Sequence, residues 1–362
     1  VALMAGEEWT DLELSADDDG VDQERLGQVL SRINEVAAVP AAAARLLELT
    51  GNERSGFNAV VQAIAGDPAM AAEVLRIANS PLYAQAEKIS DLKRAVTLIG
   101  MSELNVMAGA MAMLAAFAAE GDLSAELQES SNVSAEIARN LAKHFGTPKQ
   151  SLGYLAGLLC EIGAMACASA DTERYTKIWR STIGEPAARI HRERKRYGAP
   201  AEIIGARMLK RNQLPAEVVE AVSGSIIAPV PSLSGLQRIT IFARLAAPTL
   251  LRASRGAKSS KLTTELLGII TRLDIAGLGE MDMRRICADA LTVNGHPVPP
   301  GFAPPRDPDA GESLRPERYA GGSTMPPSLA PASTPGVLAA PATTAPRKGW
   351  FARFFDWLLR RG

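Results

Sequence analysis

Side chains able to do acid–base, nucleophilic or metal chemistry are few in this chain. It holds three histidines, His144, His191 and His296, and three cysteines, Cys160, Cys167 and Cys287. His144 precedes Phe145-Gly146 at a predicted helix end, where contact with the helix dipole is the ordinary role. His191 sits inside the charged run Arg189-Ile190-His191-Arg192-Glu193-Arg194-Lys195-Arg196, and His296 falls in a Pro-rich segment. Cysteine and glutamate can each bind zinc, so the neighbours Cys160 and Glu161 are donors in principle. A catalytic metal, however, needs several ligands converging on one point with a coordination position left open. A Ser or Cys nucleophile would need a histidine brought to it by the fold, and none can be nominated. There is no G-x-x-x-x-G-K-[ST] loop and no G-x-G-x-x-G after a strand. The basic run offers Arg192, Arg194 and Arg196 as contacts for phosphate. Such a run on a helix more often forms a solvated face, and Glu193 dilutes it.

The elements that would carry these groups read as helices. Leu26, Val29, Leu30 and Ile33 give the i, i+3, i+4, i+7 stripe of an amphipathic helix, and Val60, Val61, Ile64 and Ala65 repeat it. Asp67-Pro68 pairs an N-cap with a proline at the first helical position. Asn79-Ser80-Pro81 ends that helix, because proline disfavours helix in the residue before it. Val96, Leu98 and Ile99 run into Gly100, a C-terminal cap. Further helical runs are expected at 101–118, 124–144, 151–169, 200–211, 215–223, 234–253, 262–272 and 280–291. No segment alternates with period two for long enough to make a strand. The expected fold class is all-α.

Composition sets the domain limits. Residues 1–24 hold nine acidic and no basic side chains, and 1–25 is expected to be a disordered acidic arm. Thirteen of the 23 prolines lie between 294 and 346, which predicts a disordered, Pro-rich linker there. One α-helical domain is left over 26–293. Aromatics are 5% of the chain, so its core must be built from Ala, Leu, Ile, Val and Met. With a net charge of -1, the bulk electrostatics call for no nucleic acid. An odd number of cysteines without a C-x-x-C pair fits a reducing compartment. The acidic start does not read as a secretory signal, and the apolar run Val106 to Ala119 is too short to span a bilayer. A cytoplasmic location is expected.

The stretch Ile64-Ala65-Gly66-Asp67-Pro68 through Leu75-Arg76-Ile77-Ala78-Asn79-Ser80-Pro81-Leu82-Tyr83 resembles the signature of the HDOD (HD-related output domain) family. That pattern has a D-P step, a helix ending L-R-x-A-N-S, and a tyrosine shortly after. Val39-Pro40 followed by Ala44-Arg45-Leu46-Leu47 resembles the family's opening helix. Ile89-Ser90 and Ala95-Val96-Thr97-Leu98-Ile99-Gly100 resemble its next segment. The resemblance runs over about 26–290 and is densest over 36–115 and 150–225. Asp67, Pro68, Leu75, Arg76, Ala78, Asn79, Ser80, Tyr83 and Gly100 are read as fold-forming residues and not as an active site.

The resemblance also implies kinship with the HD phosphohydrolases, which hold metal with histidines and aspartates, including an adjacent His-Asp pair. Here Cys160-Glu161 stands where that pair is common. No histidine lies near Val133, and Ala201, Ser225 and Ile226 occupy other positions that often carry one. No catalytic residue, metal ligand or cofactor is therefore expected. The resemblance implies a bacterial signal-transduction role. The leading expectation is a non-catalytic adaptor that binds a regulatory protein partner. The alternatives are a small-ligand or nucleotide sensor and a degenerate metal-dependent phosphohydrolase.

The segment 347–362 separates cleanly when drawn at 100° per residue. Trp350, Phe351, Phe354, Phe355, Trp357, Leu358 and Leu359 share one arc, Arg353, Asp356 and Arg360 lie on the other, and Arg361 sits at the apolar edge. This amphipathic helix is expected to meet an anionic membrane surface or a groove on a partner, with folding back on its own domain as the plain alternative. A peripheral place at the inner face of the membrane follows from the first.

Overall fold

The computed structural model describes residues 21–36, 56–66, 71, 74–75, 78, 89–117, 121–147, 150–256 and 261–303. No strand occurs among them. The helices are α1 (Gln23–Val36), α2 (Phe57–Ala65), α3 (Leu92–Ile99), α4 (Met101–Ala116), α5 (Asp122–His144), α6 (Gln150–Leu159), α7 (Ile162–Ala170), α8 (Thr172–Ser181), α9 (Pro186–Tyr197), α10 (Ala201–Arg211), α11 (Ala216–Ser223), α12 (Gly235–Ser254), α13 (Leu262–Arg272) and α14 (Glu280–Val293). The all-α expectation holds.

Among the described residues, three apolar clusters organise the fold. α2, α3 and the start of α4 close over Val60, Ile64, Val96 and Ile99. A second cluster joins α1, the end of α4, α6, α7, α8, α10 and α11. A third joins α12, α13 and α14. The centre is α5, which packs on α6, α12 and α14. It sends Leu123, Leu127 and Ala135 into the second cluster and Val133, Ile137, Ala138 and Leu141 into the third. Every residue from Ser130 to Ala138 is buried, as expected of a helix packed on all sides.

Close approach explains the small residues. A Cβ on Gly157 of α6 would lie 2.4 Å from the Ser134 carbonyl oxygen, and one on Gly153 would lie 2.9 Å from that of Ala138. Helices α5 and α6 thus touch backbone to backbone. At α7 and α10 the fit is tighter still: a Cβ on Gly163 would lie 1.9 Å from the Ala201 carbonyl oxygen.

Several boundaries differ from the sequence expectation. The run expected at 151–169 is two helices, broken by a turn at Cys160-Glu161. That turn lets α6 follow α5 while α7 swings onto α10. By composition Gln150–Ala170 is apolar enough to cross a membrane, yet 89% of its most apolar window is buried within the fold. Helix α1 starts at Gln23, inside the segment expected to be a disordered arm, and Asp22 donates its N–H to Gly198 O at 2.8 Å. Residues 294–303, assigned to the linker, pack against α14. Phe302 is buried, and Arg284 donates to the carbonyls of Gly301, Phe302 and Ala303. Apolar anchoring by Phe302 and Val298 and a guanidinium that satisfies three backbone acceptors hold this piece in place despite its prolines. The rest of both segments, and the whole of 347–362, lies outside the described residues.

Candidate functional site

The turn at Cys160-Glu161 places a carboxylate in the interior, with Glu161 only 2% exposed. Around it stand the N-terminus of α10, the loop after α11, the inward face of α9 and the middle of α12. Arg244 of α12 is 3% exposed; its Nη1 lies 3.9 Å from Glu202 Oε2, and its Nη2 donates to Gly224 O at 3.1 Å. Arg189 of α9 has its Nε 3.8 Å from Glu193 Oε1 and its guanidinium 4.7 Å from the centre of the Trp179 ring. Glu193, fully buried, accepts from the Tyr175 hydroxyl at 2.7 Å and from the Ala201 N–H at 2.9 Å. Ser134 of α5, one residue after Val133, donates its hydroxyl to Ala243 O at 3.1 Å.

Three carboxylates, Glu161, Glu193 and Glu202, thus share the interior with two guanidiniums. Burial penalises the charged form of each group, and the opposite charges oppose that penalty. Burial raises the Glu161 carboxyl above its ordinary value, against the pull of Arg189 and Arg244. Burial likewise pushes Glu193 up to about 7, against Arg189. Burial works against the Arg189 charge as well, but Glu161 and Glu193 outweigh it and keep the guanidinium protonated. Glu161 Oε1, Glu202 Oε1, Arg189 Nε, Arg244 Nε and Ser225 Oγ are buried without a hydrogen-bond partner among the described residues.

This cluster forms where the sequence comparison with HD enzymes would put metal ligands. The neighbours of Val133, Cys160-Glu161, Ala201 and Ser225-Ile226 do converge, but the groups that meet are Ser134, Glu161, Glu202, Arg244 and the 224 carbonyl. Among the described residues, no group of three or more His, Cys, Asp or Glu is arranged to hold a metal ion. Every acid here faces a guanidinium, so this donor set does not fit a divalent cation.

The histidines lie elsewhere. His144 Nε2 lies 3.3 Å from Gly277 O, and its ring meets Phe145 edge-on. His191 is exposed on α9. His296 does not lie in a free linker as expected: its Nε2 is 3.5 Å from Glu129 Oε1. Burial lowers its pKa, against the pull of Glu129.

The basic run on α9 also departs from expectation. It is not one solvated face, because Ile190, Glu193 and Tyr197 point inward at helical spacing. Arg192 donates to Ser181 Oγ at 2.6 Å, and Arg196 donates to Asp171 Oδ2 at 3.3 Å. Neither these two nor Arg194 lines the cleft between α8–α9 and α12–α13. Of the signature residues, Ala78 is buried in the first cluster and Leu75 packs against it. Gly100 ends α3 with a φ of 84°, a left-handed backbone that suits glycine. Asp67, Pro68, Arg76, Asn79, Ser80 and Tyr83 lie outside the described residues, as does the tail from Trp350 to Arg361.

Beside the buried cluster opens a cleft of about 620 Å³ between α8–α9 and α12–α13. Arg189 and Arg244 reach its floor, and Arg252 and Arg272 stand on its outer wall. The sequence reading did not single out Arg244, Arg252, Arg272 or Glu202. A usable signal was present in Ile241-Phe242-Ala243-Arg244-Leu245-Ala246-Ala247, where one charge interrupts an apolar run.

The sequence matches the profile of the HDOD domain over residues 36–225. A search of curated proteins finds no match. Among solved structures, the chain is similar to a Shewanella amazonensis SB2B protein provisionally named a phosphohydrolase, at 24% identity and a TM-score of 0.51, covering 73% of this chain and 93% of that one. It is also similar to an HDOD domain protein of unknown function from Geobacter sulfurreducens (20% identity, TM-score 0.48, 75% and 95% covered). A third is the MmoQ response regulator from Methylococcus capsulatus (24% identity, TM-score 0.39, 70% and 98% covered). At these identities the first likeness speaks for the fold alone.

Proposed function

The chain belongs to the HDOD domain family, and from that premise we propose that it is a non-catalytic signalling protein that acts by binding a regulatory partner. The observation that carries this reading is the buried set Glu161, Glu202, Arg189 and Arg244. Metal-dependent hydrolysis needs nitrogen and oxygen donors free to bind a cation and to expose a metal-held water. Here the acids already face fixed positive charge, and a divalent ion would have to displace a guanidinium from the acids it is paired with.

The test is metal content of the purified full chain by mass spectrometry, together with hydrolysis of bis(p-nitrophenyl) phosphate in added Mn²⁺. Less than stoichiometric metal and no turnover are expected. A bound metal ion with turnover that falls in Glu161→Gln would overturn the reading in favour of a phosphohydrolase.

The tail belongs to the same proposal. Its aromatic arc and arginines fit a peripheral contact with an anionic membrane surface at the cytoplasmic face. Flotation with vesicles of phosphatidylglycerol and phosphatidylethanolamine should retain the full chain and lose a chain ending at 346. Equal behaviour of the two would remove the membrane from the reading. The arginine-lined cleft favours a second reading, a small-ligand sensor, which is developed next.

A further inference from the structure

We propose that the cleft between α8–α9 and α12–α13 binds an organic phosphate of nucleotide size, its phosphate held by Arg244, Arg252 and Arg272. The inference goes beyond the preceding reading and does not depend on whether the domain is catalytic.

The cleft volume of about 620 Å³ lies in the range of small-molecule sites. Its wall divides by chemistry. Ile183, Pro186, Leu245, Pro248 and Ile269 form an apolar side. On the charged side, among the described residues Arg252 donates only to the Thr249 hydroxyl, at 3.4 Å, and Arg272 only to the Ile226 carbonyl, at 3.2 Å. Neither pairs with a carboxylate among the described residues. Arg244 is 3% exposed, lines the floor, and has a buried Nε without a hydrogen-bond partner there. A buried guanidinium with an unmet donor is costly in the free protein, and an anionic oxygen satisfies it.

Two acids also line the cleft and must be counted. Glu126 is already engaged, by Arg180 Nη1 at 2.5 Å and by Trp179 Nε1 at 3.1 Å. Glu265 is exposed on α13 and opposes the outer arginines. Behind the floor three acids, Glu161, Glu193 and Glu202, face two cations, Arg189 and Arg244, and burial holds Glu161 and Glu193 toward their neutral forms; on the outer wall Arg252 and Arg272 oppose Glu265. The outer wall therefore keeps an excess of positive charge, next to an apolar surface. That pairing selects an anion that carries an organic group over a free inorganic one.

The test is titration calorimetry of the full chain with ADP, adenosine and inorganic pyrophosphate, in EDTA at physiological ionic strength. ADP should bind, adenosine should not, and pyrophosphate should bind more weakly than ADP. Arg252→Gln and Arg272→Gln should each weaken ADP roughly tenfold, as expected for loss of one charge-assisted contact. Arg192→Gln, outside the cleft, should leave binding unchanged. The proposal is overturned if ADP does not bind, or if its binding is indifferent to both cleft variants. Pyrophosphate binding as tightly as ADP would overturn the organic half of the assignment. A parallel incubation with ADP in Mn²⁺ in place of EDTA, read by chromatography, keeps the two readings apart: hydrolysis there would count against the non-catalytic reading and leave the binding site standing.

Discussion

The Glu193 carboxylate accepts the backbone N–H of Ala201 at 2.9 Å, so a fully buried acid closes the N-terminus of α10. The helix dipole favours a negative charge there, while burial opposes it. Burial has the larger effect and pushes Glu193 up to about 7 from an ordinary 4.5. Between those values the native chain holds a proton that the unfolded chain releases. This contribution to stability is full below about 4.5 and is lost as pH rises through 7. The urea midpoint should carry a downward component between pH 5 and 8 that Glu193→Gln removes. An unchanged slope in that variant would show that Glu193 is not the responsible group.

Arg244 faces Glu202 and Glu161 from inside the protein. Arg244→Leu leaves both acids buried with less opposing charge and should cost about 3–5 kcal/mol in chemical denaturation. Adding Glu202→Gln should recover part of that loss, since removing both partners is less costly than removing one. Simple additivity of the two changes would mean that the pair is not coupled.

Two helical glycines should respond to alanine with opposite sign. Gly163→Ala would drive a methyl group into the Ala201 carbonyl and should cost more than about 3 kcal/mol or abolish folding. Gly268 of α13 has nothing within 4 Å of a Cβ, so Gly268→Ala should stabilise by about 0.5–1 kcal/mol. Thermal melts of the two variants provide the comparison.

All three cysteines are free and buried. Burial pushes the Cys160 thiol up to about 12, and burial likewise raises Cys167 and Cys287. The thiolate is the reactive form, so a disulfide-exchange reagent should titrate no thiol in the native protein at pH 8 and three after denaturation. A fast-reacting native thiol would contradict this packing.

Much of the scaffold was legible in local spacing. Leu26, Leu30 and Ile33 are buried, as their stripe requires, and so are Val60 and Ile64. The break at Cys160-Glu161 was hidden because the apolar pattern continues on both sides of it. What decides it is the approach of Gly163 to α10, a contact thirty-eight residues away in sequence (163 to 201). Glu193 was hidden by its charged neighbours, and only its phase with Ile190 and Tyr197 marked it as inward-facing. The outer cleft arginines, with Arg244, come from α12 and α13, far along the chain from the signature between Ile64 and Gly100. No short-range pattern could bring them to Arg189.

Helix α5 is tied to two sets of neighbours within a single turn, from acids three residues apart on one face. Glu126 is tied to Trp179 and Arg180 of α8, and Glu129 to Arg255 and His296 beside α12 and α14. Its 23 residues make a rod of about 35 Å that serves as a common axle for the two larger apolar clusters. The cleft opens beside that axle, with Glu126 of α5 among its lining residues. Because both clusters pack on this one rod, a substitution that loosens α5 would disturb both at once.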